Sequence, residues 1–195
     1  MAIKIFNIYD ISEVKVEDPG LKKYINLEPK LILKSHGRAT ERFGKAKVNI
    51  VERLINLVAV PGHRGKKHKL IKGNASGKYS KNTKIVLDAL KILEKHGNPV
   101  QIFVKAVENS TPRDEITVIE YGGARYPQAV DIGPLRRIGL ALRNIVHGAS
   151  DKAFGKKKSV AEALANEILL ASQNSPESFA VQKRYETEKQ ADAAR

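Results

Sequence analysis

The sequence predicts a mainly α-helical protein: six helices in succession, one protruding β-hairpin between the third and fourth, and an extended N-terminal arm. Two observations predict it. Apolar residues recur at three- and four-residue spacing in separate stretches, the period of a helix with one buried face. One stretch near the middle instead sets β-branched and aromatic residues on either side of Gly122-Gly123, the pattern of two strands and a tight turn. Outside the arm and the ribbon, prolines stand between these stretches and not inside them.

The ribbon spans about 116–132. Both glycines of Gly122-Gly123 can take positive φ, so the pair closes a two-residue hairpin loop. That loop sets Glu120 opposite Arg125 and Ile119 opposite Tyr126, and opposite charges across a ladder help modestly. Pro127 has no N–H to donate, which places its strand at an edge or at a bulge. A two-stranded ribbon alone is marginal in water, so it must lean on a body or reach for a partner.

Taken in order, residues 1–47 read as a basic arm and 48–195 as the helical domain. The arm starts with the apolar Ile3, Ile5, Phe6, Ile8 and Tyr9 and is expected to be interrupted at Pro19-Gly20 and Pro29. The first helix covers roughly 48–60, with Val48, Val51, Leu54, Ile55 and Val58 as its stripe, and Pro61-Gly62 ends it. A basic loop follows over 62–81. The second helix, about 82–96, buries Ile85, Val86, Ala89, Leu90 and Leu93, and Gly97 caps it. Asn98-Pro99 opens the third as N-cap and first residue, with Ile102, Phe103, Ala106 and Val107 inward and Pro112 as its close.

After the ribbon, Gly133-Pro134 starts the fourth helix, whose stripe is Leu135, Ile138, Leu142 and Ile145. Arg136, Arg137 and Arg143 lie off that stripe. A linker holding Lys152 and Lys156-Lys157-Lys158 leads to a fifth helix with Ser159 and Glu162 as capping box and Val160, Leu164, Ile168 and Ala171 as core. Ser175-Pro176 divides it from a last, mostly polar helix of 177 to about 192, with Phe179, Val181 and Tyr185 as anchors.

The chain has 195 residues, 42% of them hydrophobic, and a formal net charge of +14. That length carries one core with extensions, and that charge favours a polyanionic partner. No stretch is long and apolar enough to span a bilayer, and the start does not resemble a signal peptide. With no cysteine there are no disulfides and no thiolate metal sites. Asn74-Ala75-Ser76 and Asn109-Ser110-Thr111 match the glycosylation pattern but carry no meaning without secretion.

Catalytic and nucleotide-binding motifs fail on spacing. Gly73-Asn74-Ala75-Ser76-Gly77-Lys78 has three residues between its glycines where a phosphate loop needs four, and Tyr79 stands where Ser or Thr is required. His63 and His68 share a loop with Arg64, Lys66, Lys67 and Lys69, a field hostile to a cation. Neither metal nor cofactor is expected. No nucleophile–base grouping emerges, and the acids read as spread over helix faces and the arm, balancing local charge.

The basic residues concentrate in four places: the arm before the first helix, the loop at 62–81, the fourth helix, and the linker at 152–158. Each alone is about as well explained by a solvated face. Together they follow loops and helix starts, where backbone can track phosphates. Tyr121, Arg125 and Tyr126 at the ribbon tip add stacking faces of the kind RNA recognition uses, against the plainer reading of strand packing.

The runs GKAKVNIVERLINLV, NPVQIFVKAVENSTPRDE, YGGARYPQAVDIGPLRRIGLALRNIV and GKKKSVAEALANEILLAS, in that order, resemble small-subunit ribosomal protein seven, the S-seven family. The resemblance runs from about Gly44 to the C-terminus, and VEDPGLKKYINLEPK in the arm resembles the archaeal and eukaryotic branch. It implies a bundle of six helices with the ribbon between the third and fourth. It implies binding to the 3′ major (head) domain of small-subunit ribosomal RNA and a part in beginning head assembly. The ribbon would then lie at the exit-site transfer RNA and near the messenger.

By the same resemblance, ribosomal RNA contacts fall on Arg38, Arg42, Lys45, Lys47, Arg64, Lys66, Lys67, His68, Arg136, Arg137 and Arg143; the basicity of the linker adds Lys156 and Lys157 to the expected contacts. Tyr121, Gly122, Gly123, Arg125 and Tyr126 form the ribbon tip. The implied setting is a monomer within the cytoplasmic ribosome, beside other small-subunit proteins and away from membranes. The alternative is a freestanding helical DNA-binding or chromatin protein. A DNA reader needs Asn, Gln and Arg on one exposed helix face; the fourth helix supplies arginines, but its ribbon obstructs a groove. An RNA enzyme has no candidate acid–base pair.

Overall fold

The computed structural model describes residues 4–35, 41–60 and 77–195. Among them are six principal helices: α2 (Ile50–Val58), α3 (Tyr79–Leu93), α4 (Pro99–Ser110), α5 (Pro134–Ala153), α6 (Val160–Ser172) and α7 (Phe179–Asp192). A single-turn α1 (Pro19–Lys22) lies in the arm, and the two-stranded antiparallel ribbon of β1 (Asp114–Tyr121) and β2 (Ala124–Asp131) stands between α4 and α5. The helical bundle with a hairpin between its third and fourth principal helices is therefore observed.

The helices begin where their caps dictate. Asn98 accepts from Val100 N at 3.0 Å, with Pro99 following as the first helical residue. The Ser159 hydroxyl accepts from Glu162 N at 3.1 Å. Helix α6 touches α3, α4, α5 and α7, and Ala163, Leu164, Ala165, Ile168 and Ala171 are all buried in it. At its tightest point Gly148 of α5 faces α6 and α7; a Cβ there would stand 2.7 Å from Phe179 Cβ and 3.0 Å from Glu167 Cδ. Glycine is what lets these helices approach so closely.

Several expectations are corrected. Pro19-Gly20 does not interrupt the arm but starts α1, because Asp18 caps it by accepting from Gly20 N at 2.8 Å. Helix α3 begins at Tyr79, earlier than the apolar stripe indicated. Val160 is 43% exposed, since the first turn of α6 precedes its entry into the core. Leu135 is partly exposed and lines a groove, while Ile138, Leu142 and Ile145 are buried as expected.

The acids are not all on the surface. Glu167 is fully buried. Its carboxylate accepts from Lys152 Nζ at 2.7 Å, Ser178 Oγ at 2.8 Å and Ala180 N at 3.2 Å, tying α5, α6 and the start of α7 together. Burying a carboxylate is tolerable only with such partners. Glu52 is buried as well and accepts from Ser35 N at 2.6 Å.

Ile5, Tyr9, Leu21, Ile25 and Leu33 of the arm share one apolar cluster with the helices. Polar side chains of α4 fasten the arm's backbone. Gln101 accepts from Lys15 N at 2.8 Å and donates to Lys15 O at 3.1 Å, and Glu108 accepts from Glu17 N and Asp18 N at 2.7 and 2.9 Å. Gln101 and Glu108 stand two turns apart, on one helix face. At the other end, Asn26 and Asn49 brace the arm against the start of α2, each donating to a carbonyl near the other: Asn26 to Lys47 O at 2.7 Å and Asn49 to Glu28 O at 2.9 Å.

The ribbon has the expected register. Glu120 pairs with Arg125 and Ile119 with Tyr126, and Gly122 and Gly123 turn the chain at φ 58° and 82°. Pro127 sits on an edge, as either strand of a two-stranded sheet must. The base of the ribbon leans on α7, where Arg113 N donates to Glu188 at 3.1 Å. From Val118 outward to the turn and back to Gln128, the strands are exposed.

Candidate nucleic-acid interface

Helices α2 and α5 enclose a groove of about 630 Å³. One wall carries Lys45, just before α2, with Arg53, Asn56 and Leu57 of α2; the other carries Leu135, Arg136, Leu140 and Arg143 of α5. Val48 and Leu142 contribute to its floor. Among the described residues, four cations and no carboxylate line it. The helical repeat explains the walls. Arg53, Asn56 and Leu57 are spaced at helical intervals, as are Arg136, Leu140 and Arg143, so each set shares a face.

The structure thus brings Lys45, Arg136 and Arg143 together, from distant parts of the chain. It adds Arg53, which lies in α2 off the apolar stripe and among none of the expected contacts. Burial lowers the Arg53 pKa, and its guanidinium donates to Tyr24 O at 3.4 Å. Arg136 is held by Glu115 at the ribbon base through two bonds of 2.6 Å, which raises the arginine's pKa and fixes its plane. Such an arrangement can place several phosphate oxygens at the rim and a sugar or base edge against the apolar floor.

Arg137, the next residue, faces elsewhere. It is 14% exposed and bonds Asp18 at 3.1 Å, Pro112 O at 3.1 Å and Thr111 Oγ1 at 3.3 Å. It lines a second cleft, of about 700 Å³, with Arg113 and Arg184 opposite the acids Glu17, Asp18, Glu108, Asp114, Glu188 and Asp192. Desolvation raises the Glu108 pKa, outweighing the backbone donors that favour its charge.

The remaining expected contacts are dispersed. Lys47 pairs with Glu41 at 3.0 Å beside a separate small cleft. Arg42 is exposed and stands over the Phe43 ring. Lys156 and Lys157 are exposed in the turn between α5 and α6, at the far end of α5 from the groove. At the ribbon tip Tyr121 is 81% exposed, Tyr126 is exposed too, and Arg125 lies 3.8 Å from Glu120. Arg38, Arg64, Lys66, Lys67 and His68 lie outside the described residues, as do His36, His63 and most of the loop at 62–81.

Among the described residues no group of acids or histidines is arranged to hold a metal ion, and no helix is long and apolar enough to cross a membrane. The sequence does not single out Phe43 or Arg53. Both lie in the basic run before and within the first helix, but neither shows from sequence which way it points.

Comparison with known proteins places the sequence in one family. The family model described as ribosomal protein S7p/S5e matches residues 21–195. The small ribosomal subunit protein uS7 of Nanoarchaeum equitans is 49% identical, over 100% of both chains. That of Methanothermobacter thermautotrophicus is 48% identical over 97% of this chain and 98% of its own. That of Archaeoglobus fulgidus is 45% identical over 98% and 94%. The match takes in the groove, the ribbon and most of the arm, and on it the chain belongs to the ribosomal protein S7p/S5e family.

Proposed function

We propose that this protein binds the 3′ major (head) domain of small-subunit ribosomal RNA through the groove between α2 and α5. Membership of the family makes it a structural protein of the small ribosomal subunit, at work in the cytoplasm. The observation that supports the finer reading is the groove's lining: Lys45, Arg53, Arg136 and Arg143, with no carboxylate among the described residues there. Arg42, Lys47, Lys156 and Lys157 serve as separate, outlying phosphate contacts away from the groove, and binding helps begin assembly of the head. Neighbouring proteins of the small subunit complete the setting.

The test is the salt dependence of binding to a head-domain RNA fragment. With about eight to ten cations on phosphate, the log–log slope is expected at roughly −6 to −9. A slope near about −2, or equal affinity for duplex DNA of the same length, would contradict it.

The ribbon has a different part in this reading. Its base is fixed to α7 while its tip presents Tyr121, Arg125 and Tyr126 to solvent. It reaches the exit-site transfer RNA and the messenger. Replacing residues 118–128 by a short turn is expected to leave incorporation into the subunit intact and to lower exit-site occupancy. Normal occupancy, or failure to join the subunit, would refute this division of labour.

A further inference from the structure

We infer that Phe43, two residues before Lys45 of the basic groove, is a stacking platform for one unpaired base of the RNA. The inference rests on the RNA-binding reading above and names a contact that reading does not contain. Three observations carry it. Phe43 is a large aromatic residue left 61% exposed. Its backbone is left-handed, at φ 61° and ψ 8°, a region bulky L-residues avoid and which persists where surroundings impose it, often at functional sites. The Arg42 guanidinium stands over its ring, 5.1 Å from the centroid.

The left-handed turn has a local cause. Gly44 N donates to Glu41 O at 2.9 Å and Ala46 N to Phe43 O at 2.9 Å, so Phe43 is the pivot from which the chain enters a short 3-10 turn. Glycine would make that pivot at less strain. Phenylalanine there gains nothing from the core, since its ring remains exposed. What the ring offers is an apolar face beside cations: Arg42 above it and Lys45 two residues on in the groove wall, while Lys47 beyond them is paired with Glu41. A base has a π-face for the ring and a phosphate on either side for the cations, which is how single-stranded RNA is held. A partner protein would also cover an exposed ring, but flanking cations favour the polyanion.

The strain makes the test clean. Phe43→Gly removes the ring and relieves the backbone, so it should melt no lower than the wild type. It should bind the head-domain RNA fragment about 5-fold to 150-fold more weakly, the loss of one base–aromatic stack. The chain has no tryptophan, so Phe43→Trp supplies a single indole at the platform, and stacking on a base should quench it as RNA is added. Affinity of Phe43→Gly within about twofold of wild type, against the loss expected of a stack, or an indole unaffected by RNA, overturns the inference. An indole that ignores RNA but shifts to the blue in the assembled subunit overturns it in favour of a protein partner. Arg136→Ala with Arg143→Ala, measured alongside, separates the two readings: if that pair loses affinity while Phe43→Gly does not, only the platform fails.

Discussion

Two clefts of similar size lie on opposite sides of α5, and they have opposite electrostatics. Among the described residues, the groove against α2 is lined by four cations and no carboxylate. The cleft against the arm and α7 sets three arginines among six acids. Consecutive residues are divided between them: Arg136 lines the groove and Arg137 the cleft, because successive side chains on a helix diverge by about 100°. The difference teaches that a basic residue's charge does not decide its task. In the cleft, arginine charge is consumed in fastening the arm and α7 to the bundle. In the groove one carboxylate, Glu115, orients Arg136 from the ribbon base, and the cations outnumber the acids and face a partner.

Substitutions can break or sharpen this contrast. The largest effect is expected from Leu142→Ala, which removes a side chain that is both core and groove floor. It should cost about 2–5 kcal/mol of stability, read by denaturant unfolding, and weaken RNA binding only as the groove loosens. Arg136→Ala with Arg143→Ala should cost at most about 1 kcal/mol of stability, from the partly exposed Arg136–Glu115 pair, and roughly 2–4 kcal/mol of RNA affinity, from charge-assisted contacts. Unfolding of that double variant would mean the exposed arginines are structural after all.

Arg137→Ala should do the reverse. It strands Asp18 and the Pro112 carbonyl in a mostly covered site, costing about 2–3 kcal/mol of stability with RNA affinity little changed in the folded protein.

The smallest effect concerns Glu108, which holds the backbone of Glu17 and Asp18. Burial raises its pKa in the folded state. The folded protein therefore takes up the proton more readily than the unfolded one, and stability from this group declines as pH rises through the raised value. Glu108→Gln keeps an acceptor and has no charge to desolvate. Its unfolding free energy relative to wild type should rise from about pH 4 toward neutrality; a difference that stays flat with pH would contradict the burial of this carboxylate.

The contrast also shows what a sequence reveals. The ribbon was legible down to its register, because Gly122-Gly123 and the strand pattern act over neighbouring residues. So were the caps at Asn98 and Ser159. The division between Arg136 and Arg137 was not, since Asp18, which Arg137 bonds, lies 119 residues away. Glu167 sits in the run Ala165-Asn166-Glu167-Ile168, and only folding brings Lys152 and Ser178 to it. Helix α7 read as polar because its buried contacts are small: Ala180 and Ala191 are fully buried with Val181, while Tyr185 is exposed. The groove needed both walls, and each wall alone read as an ordinary solvated face.

The central claim is that the α2–α5 groove, and not the arm-side cleft, meets RNA phosphate. The most direct measurement compares salt slopes of head-domain RNA binding for the Arg136→Ala, Arg143→Ala double variant and for Arg137→Ala. Each lost phosphate contact should flatten the slope by about 0.7–0.9. The account predicts a slope flatter by about 1.4–1.8 for the groove variant and an unchanged slope for the cleft variant. An unchanged slope in the groove variant, with flattening in Arg137→Ala, would contradict it.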